Sequence, residues 1–332
     1  MPLRAGQIRL CAKYPLTYKA VKGKIFSLTG RFQGKAEVKV SKRVGVTVIF
    51  LLLIGGAIYL VIKGHQTRYE NRVRVEEPGL SRVREYRDEL LDQAGSSTHN
   101  KQALREVIER YEDYIEEHPD SARAYNDLGD ILYDYAGQPH EAAKNWQRAV
   151  QIDPDFAEAR NNLGVYYDHF GEPLRGIEEV RKAIQLDPHR GDYHYNLAVF
   201  YFVSRYEVQK KYGWDLPKIY AACLDEHKKA IVLEPENYEF SCGYARTFSF
   251  ARFFQVETDY DAAIAAWKHC LGLDIDDGQK AQVLLHMAHL SMDAKRPDQA
   301  RTYANEILKI KPNHAAAKRL LERLSRVQRN FP

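Results

Sequence analysis

Cysteine is scarce in this chain, and its placement argues against two kinds of site. The four residues are Cys11, Cys223, Cys242 and Cys270, and no two of them form a CxxC pair. A zinc module or a disulfide framework shows regular cysteine spacing. Three of the four lie in the larger C-terminal part, so at least one thiol stays free there. We interpret them as small buried residues.

Motifs for catalysis are also absent from the sequence. It has no Gly-x-Ser-x-Gly elbow, P-loop or Gly-x-Gly-x-x-Gly turn. His286 and His289 could share a metal ion on one predicted helix, but zinc takes at least three protein ligands. Asp274, Asp276 and Asp277 lack the other ligands of a calcium loop, which favours a turn. We predict a non-enzymatic protein without cofactor or metal, with a metal-dependent hydrolase as the remote alternative.

Positive charge is concentrated in residues 1–43. This segment holds eleven lysines and arginines and one acid, Glu37, whereas the formal net charge of the whole chain is +4. The rest of the chain is therefore slightly acidic. A nucleic-acid-binding domain would carry its cations on a folded face, so we exclude nucleic acid as a partner. We interpret residues 1–43 as a solvated tail that can contact anionic lipids.

An apolar run without a single charge follows the tail. Residues 44–62 read VGVTVIFLLLIGGAIYLVI. As a helix this run would span about 28 Å, close to the hydrocarbon thickness of a bilayer. A cleavable signal peptide has a shorter apolar core and a small-residue cleavage site, which this segment lacks. The sequence therefore predicts one transmembrane helix.

The orientation of that helix follows from its flanks. The dense lysines and arginines before it place the N-terminus in the cytoplasm. Four further cations, Lys63, Arg68, Arg72 and Arg74, weaken this contrast without reversing it. The large domain is then expected on the opposite side of the membrane, which is the periplasm in a bacterium. The reverse orientation stays open.

Residues 63–101 are predicted to form a juxtamembrane linker and a capping helix. A Pro-Gly pair interrupts any helix that continues from the membrane. Ser81 then opens a helix in which Val83, Tyr86 and Leu90 fall on one face. This helix is expected to cover the first unit of the domain that follows.

Sequence repeats begin near residue 102. Pro119, Pro154 and Pro188 are spaced 35 and 34 residues apart. Other positions share this register: Leu128-Gly129, Leu163-Gly164 and Leu197-Ala198, then Tyr167 and Tyr201, then Ala149 and Ala183. A period near 34 with two amphipathic helices per unit is typical of a solenoid.

The repeated pattern resembles the tetratricopeptide repeat. Leu-Gly, an aromatic residue, alanines and a closing proline recur in order, most clearly in residues 161–188 and 142–154. The resemblance implies an all-α, right-handed α-solenoid over residues 102–314, preceded by the transmembrane helix. It has about six helix-turn-helix units, the first of them degenerate. Residues 315–332 are predicted to form a C-terminal capping helix.

Two units are longer than the period. The interval from Pro188 to Pro235 is 47 residues, with the extra residues near 205–218, and the next unit has extra length near 252–259. We expect two neighbouring hairpins that project beyond the solenoid. Their aromatic residues either pack on one another or form a partner-contact ridge: Tyr206, Tyr212, Trp214, Phe253 and Phe254.

The resemblance also implies a binding surface. In this family the first helix of each unit lines a concave groove. The matching positions are Asn126, Asp130, Asn161, Val165, Asp168, Tyr195, Val199, Phe202, Arg246 and His289. Chaperone-binding relatives hold a C-terminal carboxylate with lysines and arginines that these positions mostly lack. We expect an extended or helical partner segment instead. That Val199 and Phe202 only pack against neighbouring helices stays open.

These observations predict a membrane-anchored scaffold that recruits or assembles envelope proteins through its groove. One alternative is a translocation or import accessory receptor with its repeats facing the cytosol. The other is the hydrolase that uses His286 and His289. Self-association through the long insertions is a further possibility.

Overall fold

A computed structural model describes residues 77, 79–93 and 99–330 of the protein. The predicted tail and the predicted transmembrane helix, residues 1–43 and 44–62, lie outside this range. Within it, no helix is both long enough and apolar enough to cross a bilayer.

The described part of the chain is helical and contains no β-strand, which confirms the all-α class. We number its helices α1 to α14: Leu80–Gln93, His99–Glu117, Ala122–Asp134, Pro139–Ile152, Ala157–His169, Pro173–Leu186, Gly191–Val203, Arg205–Tyr212, Leu216–Leu233, Tyr238–Phe248, Tyr260–Leu271, Asp277–Asp293, Pro297–Ile310 and Ala315–Asn330. A 3₁₀ turn at Ala251–Phe254 follows α10. The part of α1 from Tyr86 onward and helices α2 to α14 belong to one compact unit.

Helices α3 to α13 associate as consecutive pairs. The pairs are α3 with α4, α5 with α6, α7 with α9, α10 with α11 and α12 with α13, and each pair also contacts the next. Below, the helix of each pair that comes first in the sequence is called its first helix, and the other is called its second helix. This arrangement stacks the pairs in sequence order, as a solenoid requires.

Local signals fix where these helices begin. Ser121 Oγ accepts a hydrogen bond from the Ala124 amide at 3.1 Å and caps α3. Asp276 and Gln279 form a reciprocal capping box at the start of α12. The aspartate-rich turn before α12 thus contains a helix cap. A proline in the first turn opens α4, α6 and α13.

Close approach within each pair depends on small residues. A Cβ atom added to Gly129 would lie 2.4 Å from Trp146 Nε1. One added to Gly176 would lie 2.6 Å from the Gly164 carbonyl oxygen, because the backbones of α5 and α6 nearly touch there. These contacts explain why Leu-Gly recurs in the sequence pattern.

The two insertions differ from the projecting hairpins that the sequence led us to expect. They form α8 and the 3₁₀ turn, and both fold back onto the core because each carries an apolar residue that is fully buried, Val208 and Phe254. The Phe254 ring lies 5.5 Å from Phe202 and 5.4 Å from Tyr220. The insertions therefore extend the core.

Helices lie at both ends of the repeats. In α1, Tyr86 donates a hydrogen bond to Glu106 of α2, and the Arg110 guanidinium lies 3.6 Å from the Tyr86 ring centre. In α14, Leu320 and Leu324 are buried in the same apolar cluster as residues of the last pair. The final pair is thereby shielded from water, as terminal repeats require.

The contact between α5 and α6 yields a stability prediction. The substitution Gly176→Ala should destabilise the protein by about 1–3 kcal/mol, because the new methyl group meets backbone that cannot rotate away. Gly272→Ala is the matched control, since its Cβ would have no neighbour closer than 3.4 Å. Urea unfolding followed by circular dichroism measures both. Equal midpoints for the two variants would contradict the prediction.

Candidate binding groove

All ten predicted groove residues lie on the first helices of five successive pairs, which are α3, α5, α7, α10 and α12. Direct contacts between α3 and α5, and between α5 and α7, place these three helices side by side. Seven of the ten side chains belong to a polar row, an aromatic cluster or a basic end, and the other three face the core.

The polar row is built from asparagines on three neighbouring helices. Asn162 Nδ2 donates to Asn126 Oδ1 at 3.2 Å and to Asp130 Oδ1 at 2.8 Å. Asn196 Nδ2 donates to Asn161 Oδ1 at 3.0 Å. We call Asn126, Asn161, Asn162 and Asn196 the amide ladder. It connects α3 to α5 and α5 to α7.

Asp130 anchors the first step of the ladder. Its Oδ1 also accepts a hydrogen bond from Trp146 Nε1 at 2.9 Å, and Trp146 is itself buried against Gly129. Asn126 Nδ2 lies 3.4 Å from Asp130 Oδ2. The carboxylate is therefore fixed by groups from α3, α4 and α5, which preorganises this part of the groove.

Negative charge accumulates around the ladder. Burial, reinforced by Glu158 and Asp127, raises the pKa of Asp130 well above its ordinary value. Burial likewise raises the pKa of Glu158, although the nearby Arg190 opposes this. Burial also raises the pKa of Asp168. Burial thus disfavours the ionised forms of these carboxyl groups, and a nearby cation favours them.

The aromatic cluster is centred on Tyr195. Its ring stacks on Phe240 at 5.0 Å and meets the edge of His227 at 5.5 Å, and its hydroxyl donates to Glu239 at 3.4 Å. Burial raises the pKa of Tyr195 to about 12. Burial, with Arg246, lowers the pKa of His227 to about 4. Both rings are therefore neutral near pH 7.

Three predicted groove residues face the core. Val165, Val199 and Phe202 pack against the apolar cluster around α7 and α9. The Phe202 ring lies 5.3 Å from Phe250 as well as against Phe254. The structure thus packs these three half-buried side chains against the core, which is the alternative left open for Val199 and Phe202.

The basic end contains Arg246 and His289, both exposed. His286 stacks on the Trp267 ring at 4.4 Å with an interplanar angle of 5°. Burial, Arg246 and His289 together lower the pKa of His286. Among the described residues, no group of three or more His, Cys, Asp or Glu side chains could hold a metal ion. The proposed histidine pair therefore has no third ligand within that range.

Sequence reasoning did not find two members of the ladder, Asn162 and Asn196. One signal was available for the second, since Asn126, Asn161 and Asn196 recur at intervals of 35 residues. No such signal exists for Asn162, which lies 36 residues after its partner Asn126 and depends on the stagger between α3 and α5.

Comparisons with known proteins identify the repeat. A family profile described as TPR repeat matches residues 135–169, and one described as tetratricopeptide repeat matches residues 257–324. No curated protein matches the sequence.

Several solved structures share the fold. PilW, a type IV pilus biogenesis factor, is 16% identical with a TM-score of 0.51, covering 72% of this chain and 98% of PilW. The pilF protein of Pseudomonas aeruginosa is 17% identical with a TM-score of 0.50, covering 73% and 99%. The C-terminal part of a TPR repeat-containing protein from Cytophaga hutchinsonii is 16% identical with a TM-score of 0.50, covering 76% and 98%. Identities at this level show the shared fold alone.

The raised pKa of Asp130 gives a pH prediction. Because the folded state holds this proton more tightly than the unfolded chain does, stability should fall as pH rises above the ordinary aspartate value. Asp130→Asn keeps an acceptor for Trp146 and Asn162 but cannot ionise, so its stability should depend less on pH. Thermal unfolding between pH 4 and pH 8 measures this. The exposed Asp113→Asn serves as control, and identical pH profiles for all three proteins would refute the assignment.

Proposed function

Because this chain carries the tetratricopeptide-repeat fold, we propose that it is a membrane-anchored scaffold that binds a segment of another envelope protein in its groove. The amide ladder is the observation that supports this proposal. It consists of polar side chains that lie on three first helices and are hydrogen-bonded to one another.

The ladder offers hydrogen-bonding groups to a guest. Among the described residues, its bonds use both N–H groups of Asn162 and one of Asn196. The Oδ1 atom of Asn162 and one N–H group of Asn196 stay available. A polypeptide backbone presents one donor and one acceptor per residue, so it matches such a row of amides.

Side chains of the guest would be selected by the surroundings of the ladder. Asp130 and Glu158 favour a lysine or arginine at one end, as their raised pKa values indicate. On the next first helix, α7, Tyr195 offers a half-buried ring to an apolar side chain of the guest. We therefore propose a guest segment that combines a basic residue with an apolar one.

The membrane anchor is residues 44–62, proposed from the uncharged sequence and its basic N-terminal flank. Anchoring confines the groove to the membrane surface and so raises its effective concentration toward partners there. We propose that the repeats lie on the side opposite the cytoplasm.

A photo-crosslinking experiment tests the groove. A benzophenone amino acid at Tyr195 of the full-length chain, expressed in its membrane, should form an adduct with a partner protein. Asn162→Ala should reduce this adduct several-fold, because it removes the centre of the ladder. The matched control places the crosslinker at Val232, which is 80% exposed on the second helix α9. The same adducts from both positions, or an adduct indifferent to Asn162→Ala, would exclude groove binding.

A topology experiment tests the anchor. Alkaline phosphatase, which folds only outside the cytoplasm, should be active when fused after Pro332, and deletion of residues 44–62 should abolish its activity. A fluorescent protein that matures only in the cytoplasm serves as the reciprocal reporter. Fluorescence from that fusion, with an inactive phosphatase, would instead support the receptor that faces the cytosol.

A further inference from the structure

Exposed apolar side chains cluster on one edge of the repeat domain. Seven large apolar residues in the described ranges are more than a third exposed, and six of them lie at the end of a first helix or in the segment that follows it. Their exposed fractions are 58% for Tyr135, 44% for Phe170, 55% for Val203, 57% for Tyr206, 39% for Phe250 and 46% for Phe253.

The positions recur from unit to unit. Tyr135 and Phe170 are the residues directly after α3 and α5, and Val203 is the last residue of α7. Phe250 lies just after α10. Because these first helices are equivalent in a stack, their ends form one edge of it. The amide ladder lies on the middle turns of the same helices, whereas Asp168 and Phe202 of the predicted groove lie in the last turns, next to this edge.

The exposed groups are concentrated at the two units with insertions. We call Val203, Tyr206, Phe250 and Phe253 the aromatic edge. The rings of Phe250 and Phe253 lie 6.0 Å apart, and Phe250 also contacts the half-buried Phe202. Monomeric proteins rarely leave neighbouring aromatic rings in water unless the surface binds something.

Cations flank these rings. The Arg205 guanidinium lies 4.5 Å from the centre of the Tyr206 ring, and that of Arg252 lies 5.2 Å from the centre of Phe253. Lys210, Lys211 and one acid, Glu207, are exposed on the same short helix as Tyr206, so cations outnumber acids there. The aromatic edge is therefore both apolar and positively charged.

We propose that the aromatic edge is a second protein-docking surface, which takes an amphipathic segment whose apolar side chain is flanked by carboxylates. Tyrosine, phenylalanine and arginine are the residue types enriched where proteins bind one another. Carboxylates complement the arginines and lysines, whereas a second copy of the same surface would oppose arginine with arginine.

The test uses the full-length chain in detergent and two synthetic peptides labelled with fluorescein. One has leucine and phenylalanine at helical spacing with glutamates between them, and the other has lysine in place of each glutamate. Fluorescence anisotropy should show the glutamate peptide binding about ten-fold more tightly. Arg252→Glu should abolish this preference, and Phe253→Ser should weaken binding of the glutamate peptide by about ten-fold.

The groove variant Asn162→Ala should leave the affinities for both peptides unchanged. It therefore separates this inference from the proposed function. Equal affinities for the two peptides would overturn the inference, and so would loss of binding in Asn162→Ala. Two other occupants give distinct results that would also overturn it. Self-association abolished by Phe253→Ser in sedimentation would indicate a second copy. Protection of residues 249–256 from hydrogen exchange only in nanodiscs containing phosphatidylglycerol would indicate lipid.

Discussion

The close approach of the two helices in each pair is the constraint on which the rest of the structure depends. Where Gly176 faces the Gly164 carbonyl, a single added carbon would lie 2.6 Å from backbone oxygen. At this contact the two helices leave almost no space between them. Their apolar residues must therefore be buried against the next pair. Stacking follows from this requirement, and the end of the last pair then needs a cover, which α14 provides.

The same geometry creates the groove. First helices of successive pairs lie side by side, so polar residues at equivalent positions meet across helix boundaries and bond to each other, as Asn162 does with Asn126 and Asp130. Half-buried carboxylates near this row are costly in an empty groove because their ionised forms are poorly solvated. A guest that supplies a cation and a backbone would stabilise those carboxylates, and this links the electrostatics of the groove to the proposed function.

The sequence predicted the parts of the fold that depend on a one-dimensional period. Prolines at intervals of 35 and 34 residues, with Leu-Gly in register, predicted helix pairs and their small contact residues. Details that depend on the third dimension were not predictable. The stagger that joins Asn162 to Asn126 has no periodic signature, and the packing of Phe202 against Phe250 and Phe254 depends on the insertion in the next unit. Those insertions were expected to project, yet Val208 and Phe254 draw them onto the core.

We propose that first helices, and not second helices, receive the partner. Hydrogen exchange measured by mass spectrometry on the full-length chain, in its native membrane and after purification free of partners, tests this directly. We expect the native membrane to slow exchange in α3, α5 and α7 and to leave the exposed side of α4 and α6 unchanged. Slower exchange confined to the second helices, or identical exchange in both preparations, would contradict it.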